Sequence, residues 1–505
     1  MKLLVWIVSI CLVVTYRSGV VRANDGPVSA SAPPGIDQAL SNLSSDDAAT
    51  QETAGTLLMA TGDVSLLPKL EDLRANANRS GRMVIKPIVD LLKNRAKLNS
   101  VDADDRRSAA TDLGSLGKPV ALPWMESALE HESDRWVRYT LEESINLIKV
   151  STGDPTVQAT AAAKLGQLHS QNAVPMLKEL AADSTKPAAM AARTAIERIE
   201  TWGIWATGFE TIFRGISLSS ILLMMSLGLA IVFGLMGVIN MAHGELMMVG
   251  AYATYVAQEL FKAYLSPTLF DYYFFFALPL SFFAAGLCGL ALEATVIRFL
   301  YGRPLETMLA TWGVSLVMIQ GARVYFGDLT SVVAPSWLSG GMQAMVGVYL
   351  PYNRLFIILL SLLCVMGIYV LLFRSGLGLR VRAVTQNRNM SACLGIPTRT
   401  VDAYTFAFGS GLAGIAGCAL TLVGNVEPGL GQNYIVDSFM VVVTGGVGKL
   451  AGTIVAAMGI GGLNKLLEPS FGAVYGKVLI LVLVILFLQW RPSGLFAMKG
   501  RNADA

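Results

Sequence analysis

The stretch GLAIVFGLMGVINMAHGELMMVGAY, Gly228 to Tyr252, sets the terms for the whole chain. A membrane-length apolar run from about Ser217 ends in a polar knot, Asn240, His243 and Glu245, and apolar sequence resumes at once. Polar and ionisable groups at such a place are costly in lipid, so they mark a cavity, a pathway or a helix contact. Taken alone, the same residues also fit a short cytoplasmic turn between two ordinary spans.

Outward from this knot, the chain divides by composition. It has 505 residues, a net charge of +3 and a mean hydropathy of +0.53. Residues 1–205 are rich in Ala, Asp, Glu, Lys and Arg, whereas 206–497 are apolar, Gly-rich and poor in charge. The first part reads as soluble and the second as a polytopic membrane domain. No basic tract points to nucleic acid. Lys2, the apolar run Leu3–Val14 and the small-residue site Val21-Arg22-Ala23 read as a signal peptide over 1–23. The remainder divides into an exported domain over 24–205 and a transmembrane domain over 206–500. The exported part contains no cysteine, so it folds without disulfides.

Two stretches of the exported part match at an offset of 52 residues. Ala110-x-x-Leu113-Gly114-x-Leu116 followed by Ala121-x-Pro123 parallels Ala162-x-x-Leu165-Gly166-x-Leu168 followed by Ala173-x-Pro175. Pro87–Leu92 suggests a weaker earlier copy. The pattern resembles HEAT-like helical pairs, which stack to bury faces that one pair cannot bury alone. An ordinary helical bundle is the other reading. His131 and His169 have no metal-ligating neighbour at helical spacing. No nucleophile motif and no Cys/His cluster is present, and Gly446-Val447-Gly448-Lys449-Leu450 lacks the leading Gly and following Ser/Thr of a phosphate loop. The sequence therefore predicts neither an enzyme nor a cofactor or metal site.

Apolar spans are expected at 217–239, 246–264, 274–297, 305–326, 354–373, 403–424, 434–448, 451–467 and 475–490. The fold class is all-α, with eight or nine spans, one of them short or broken. Parity favours nine: the signal puts the first span's start outside, while Arg374–Arg399 after the fifth span and Lys499 and Arg501 at the C-terminus belong inside. The segment 434–448 is too short to cross comfortably and ends in Gly445-Gly446-Val447-Gly448. Broken helices of this sort line cavities in transporters, and a glycine-mediated helix crossing accounts for the same residues.

The segment Arg380–Arg399 is too polar to span and predicts a short helix with a partial apolar face, ended by Gly395 and Pro397. Such an element suits a groove on a partner, and a plain solvated basic loop is the alternative. The knot, this loop (matching at Gln386, Asn387, Ala392, Gly395 and Ile396), Gly445–Gly448 with Ala451-Gly452, and Trp490–Phe496 together resemble the permeases of branched-chain amino acid ABC transporters over about 208–500. Leu305–Gly313, Pro335–Gly341 and the exported extension are similar to the urea-transporting branch of that family.

The resemblance implies an ATP-driven importer in the bacterial inner membrane. A second homologous permease would pair with this one, two cytoplasmic ATPases would dock on the loop, and an exported binding protein would deliver substrate. Urea is neutral, planar and rich in hydrogen-bonding groups, so a pathway for it calls for amide, hydroxyl and carboxylate partners. The candidates are Asn240, His243, Glu245, Glu306, Thr311, Trp312, Ser315, Asn425, Glu427, Asp437 and Ser438. Each also fits an interhelical tie. Other readings of the chain are a branched-chain amino acid or short-amide permease, an ATP-independent urea channel, and a membrane-anchored scaffold.

Overall fold

A computed structural model describes residues 35–43, 48–77, 79–183 and 187–496. The signal-peptide reading lies outside them. The chain divides into two compact units, one reaching Leu168 and including Pro175–Ala195, the other holding His169–Val174 and everything from Ile196 onward.

In the first unit the helices are α1 (Ile36–Asn42), α2 (Ala48–Thr61), α3 (Leu67–Asn76), α4 (Arg79–Lys97), α5 (Ala103–Leu116), α6 (Leu122–His131), α7 (Arg135–Val150), α8 (Pro155–Leu168), α9 (Val174–Ala182) and the start of α10 (Ala188–Met236). Among the described residues, the order helix, short 3-10 turn, helix, helix occurs three times: from α2 to α4, α5 to α7 and α8 to α10, with turns at Val64–Leu66, Pro119–Ala121 and Gln171–Ala173. Asp63, Asp102 and Asp134 each accept backbone N–H groups at the start of a helical element, satisfying donors that have no partner inside it. The recurrent glycine has a steric cause. A Cβ on Gly114 would lie 2.6 Å from Ser144 Cβ, and one on Gly166 would lie 2.8 Å from Ala195 Cα. First and third helices of the second and third copies thus meet nearly backbone to backbone. Pro87 lies inside α4, the third helix of the first copy, whose Gly55 faces Val84 and Ile88 more loosely. Larger side chains at that contact explain why this copy is faint in the sequence.

In the second unit, α10 runs on to Met236 and is followed by α11 (His243–Tyr264), α12 (Tyr273–Thr295), α13 (Pro304–Phe326), strands β1 (Gly341–Met345) and β2 (Val348–Pro351), α14 (Tyr352–Arg374), α15 (Gly376–Gln386), α16 (Arg388–Cys393), α17 (Thr398–Leu420), α18 (Leu430–Gly445) and α19 (Leu450–Trp490). Among the described residues, five helices are long and apolar enough to cross a membrane: Ala188–Met236, Leu269–Phe299, Tyr352–Arg374, Thr398–Leu420 and Leu450–Trp490. The segments expected at 451–467 and 475–490 form the two arms of α19, joined at a kink where Gly472 adopts φ 77°. The antiparallel hairpin β1–β2 is an addition to the all-helical expectation. It marks one end of this unit, and the Arg374–Arg399 segment marks the other: α14 starts at the hairpin and finishes at Arg374.

Small residues hold the centre together. Gly228 meets Gly409, Gly250 meets Gly414, and Gly417 meets the Met247 carbonyl. Around them Met225, Met247, Tyr273, Phe274, Ile357 and Ala416 form the apolar core. In lipid, where burying carbon against carbon gains little over the solvent, such close backbone approach supplies the dispersion contacts that associate helices.

Candidate functional site

The polar knot lies inside the second unit. After α10 ends at Met236 the chain turns at Gly237, φ 70°, and folds back along the helix it has just left. His243 Nε2 donates to the Met225 carbonyl at 3.3 Å. Met225 precedes the end of α10 by eleven residues (236 − 225), about 16 Å of helix. The expected turn at the membrane surface is therefore replaced by a helix, α11, that begins deep within the bundle. The apolar flanks of the knot hid this, because they read equally as the ends of two full spans.

Each knot residue has work at that helix start. Asn240 Oδ1 accepts the Ala242 N–H at 3.0 Å, and Thr311 Oγ1 accepts the Met241 N–H at 3.0 Å. Ser315 Oγ donates to Glu245 Oε1 at 2.6 Å. Glu245 stands in the first turn of α11, where a carboxylate complements the positive end of the helix dipole. Asn240, His243 and Thr311 are 0 % exposed and Glu245 1 %, so the cluster is sealed from solvent. Asn240 Nδ2, His243 Nδ1 and Glu245 Oε2 are buried with no hydrogen-bond partner among the described residues. Unsatisfied polar atoms in such a place cost free energy and are kept where a function calls for them.

A second helix start meets the first. Gly244, second residue of α11, abuts Gly431, second residue of α18; a Cβ on Gly244 would lie 2.5 Å from the Gly431 carbonyl oxygen. The N-termini of two partial helices are thus packed together within the bundle, each carrying the positive end of its dipole.

The other candidates separate into three places. Thr311 and Ser315, four residues apart and so on one face of α13, point at the knot, whereas Trp312 is turned away and 51 % exposed. Glu306 is exposed at the start of α13 and paired with Arg303 at 3.1 Å. Toward the start of α18, Glu427 accepts from Asn433 at 3.0 Å, Asn425 is exposed, and Ser438 is buried with no partner among the described residues. Asp437 pairs with Lys477 of α19 at 3.3 Å, and Lys477 also donates to the Asn433 carbonyl at 3.2 Å. Lys477 was not among the sequence candidates. A lone cation in an apolar run was the available signal.

The Arg374–Arg399 segment forms two helices, where the sequence predicts one. Asn387 interrupts them by capping α16, its Oδ1 accepting the Met390 N–H at 2.9 Å. Gly395 ends the element at φ 81°, a left-handed conformation that suits glycine. Arg388 fixes α16 to the bundle through Asp402 at 2.5 Å and lies over the Tyr301 ring at 5.0 Å. Gln386, Asn387, Ala392 and Gly395 are exposed and Ile396 half-buried, while Met390 at 58 % and Leu394 at 75 % present bare apolar surface.

A family model described as branched-chain amino acid transport system / permease component matches residues 211–488. The high-affinity branched-chain amino acid transport system permease protein BraD of Pseudomonas aeruginosa is 28 % identical over 292 residues, which cover 57 % of this chain and 94 % of that protein. LivH of Escherichia coli, a permease protein of the same description, is 25 % identical over 304 residues with the same coverage. The ribose import permease protein RbsC of Bacillus subtilis is 28 % identical over 130 residues, 24 % of this chain and 40 % of that protein.

Proposed function

This chain belongs to the family of branched-chain amino acid ABC transporter permeases, and from that premise we propose that it is the membrane-spanning subunit of an ATP-driven urea importer. The observation that carries the transport reading is the meeting of two helix starts inside the bundle, Gly244 on Gly431, beside the sealed cluster of Asn240, His243, Glu245, Thr311 and Ser315. Helices interrupted at membrane depth are tolerated where they serve a pathway, and their ends offer unpaired backbone groups to a polar solute. Glu245 offers an acceptor, and the Asn240 amide a donor, to a neutral amide.

The choice of cargo rests on finer resemblance. Leu305–Gly313 and Pro335–Gly341 are similar to the urea-transporting branch. BraD and LivH are spanned over 94 % of their own length by only 57 % of this chain, which leaves the remainder without a counterpart in them. In this proposal the first unit is an exported HEAT-like domain on the periplasmic side of the inner membrane. It follows a cleaved signal, and the membrane part crosses nine times. The five arginines between 374 and 399 support placing that segment in the cytoplasm, opposite the hairpin.

The partners follow from the family: a second permease, two ATPases and a substrate-binding protein. The pair α15–α16, with Met390 and Leu394 exposed and Arg388 anchored on Asp402, is suited to dock on the ATPase and pass its motion to α17. The chain itself carries no ATPase function in this reading. A second reading keeps the machine and changes the cargo to a branched-chain amino acid, as the names of BraD and LivH suggest.

Uptake of labelled urea and of labelled leucine at low external concentration, in cells with and without this chain and its ATPase partners, separates these readings. Urea uptake that requires both is expected. Leucine uptake in its place sinks the cargo assignment, and urea entry without the ATPases sinks the importer in favour of a channel.

A further inference from the structure

A groove of about 380 Å³ opens between α12, α14 and α17 at the end of the second unit that carries Arg374–Arg399. Phe282, Gly286 and Leu290 of α12, Leu372 of α14, and Tyr404 and Phe408 of α17 form its walls. The lining is almost wholly hydrocarbon. Gly286 lets α12 approach α17 closely beside the groove, since a Cβ there would lie 3.2 Å from the Ala407 carbonyl oxygen. Its position follows from the helix ends: Leu372 lies two residues before the end of α14, and Pro397 and Thr400, also in its lining, flank the start of α17.

One lining residue differs from the walls. Arg380 of α15 is charged and exposed. It has no hydrogen bond or ion pair among the described residues. Arg374 and Arg399 are likewise unpaired there, whereas Arg388 is committed to Asp402 and Arg382 lies over the Phe373 ring. Between residues 374 and 401 there are five arginines and no Asp or Glu.

An apolar slot between three membrane-length helices, with a spare guanidinium in its lining, complements the two parts of a phospholipid. We propose that this groove holds an acyl chain of an anionic phospholipid whose phosphate is bound by Arg380. A guanidinium presents several N–H donors in a fixed plane, suited to phosphate oxygens, and basic pockets between membrane helices favour anionic headgroups. A lipid held here would wedge between α14 and α17, the two helices that flank the α15–α16 segment, and so would brace that segment from the membrane side.

The test is native mass spectrometry of the intact permease complex in detergent, delipidated and then given phosphatidylglycerol or phosphatidylethanolamine of identical acyl chains. The wild type is expected to retain phosphatidylglycerol in preference, by about fivefold, the worth of one basic side chain at an anionic surface. Arg380→Gln should abolish the preference and Arg380→Lys should keep most of it. Leu287→Trp, on the exposed rim of the groove where folding tolerates bulk, should lower retention of both lipids. Equal retention of the two lipids by the wild type overturns the proposal. So does a preference that survives Arg380→Gln, or a complex that retains neither because a protein partner covers the groove.

Discussion

The knot and the Arg374–Arg399 segment are both polar interruptions of an apolar chain, and they are polar for opposite reasons. In the knot, Asn240, His243 and Glu245 are sealed in, and their polarity answers the backbone of a helix that starts where water is absent. In the segment, charge stays at the surface, one arginine is spent on an internal tie to Asp402, and apolar Met390 and Leu394 are left bare. Polarity turned inward supports the fold, and apolar surface turned outward invites a partner. The same distinction predicts how the two regions respond to change.

The sharpest contrast comes from bulk at the helix seam. Gly244→Leu forces α11 off α18 at a backbone-to-backbone contact. It should remove the folded permease from membranes altogether, a cost above about 4 kcal/mol, read as loss of a monodisperse peak on size exclusion. A comparable insertion at exposed Ala392 should leave that peak unchanged. If both variants fold equally well, the contrast between the regions collapses.

Next come the polar groups themselves. Glu245→Leu leaves Ser315 without its buried acceptor and should cost about 1–3 kcal/mol in thermal stability, whereas Glu245→Gln keeps an acceptor oxygen and should lose transport more than stability. The double variant Met390→Ser with Leu394→Ser should do the reverse: unchanged melting, with substrate-stimulated ATP hydrolysis reduced severalfold or more. Normal stimulation in that variant removes the coupling assignment.

Arg388→Gln sits between the regions, since it leaves Asp402 unpaired. Because the Arg388 side chain is 42 % exposed, the stability loss should be about 1–2 kcal/mol, below that of a fully buried pair. Hydrogen exchange should localise it to α16 and the first turns of α17.

The smallest effect lies in the first unit. The hydrogen bond from Arg106 holds the Glu132 carboxyl below its ordinary value. A depressed acid stabilises the fold above its unfolded value, and that contribution is lost as pH falls through the folded value. Exchange protection of α5 and α7 should therefore hold at neutral pH and weaken as pH falls through and below the ordinary carboxylate range, and Glu132→Gln should remove the dependence.

Much of this was visible in the residues themselves. A carboxylate and an imidazole in an apolar run are conspicuous, and glycines beside helix ends predicted breaks at Gly445–Gly448 and at Gly395. The directions in which the knot residues point were not visible. That Glu245 finds Ser315, seventy residues away, while Trp312 faces outward depends on the rotation of α13 against α11, to which a local pattern is blind. Asp437 stands out in the sequence, but its partner Lys477 does not, because the turn of α19 at Gly472 brings that cation alongside α18. The first repeat copy was faint because its contact uses Val84 and Ile88 where later copies use Ser144 and Ala195.

The glycine seam has a consequence for how such a sequence can drift. Gly228 with Gly409, Gly244 with Gly431, and Gly445 with Gly452 are reciprocal pairs, in which a Cβ on either member strikes the backbone of the other. In most packed pairs, enlarging one side chain can be offset by shrinking its neighbour. Here neither neighbour has anything left to give up. Such pairs can only stay fixed together, so they should be silent in any search for contacts through correlated substitution, although they are among the closest backbone approaches in the second unit.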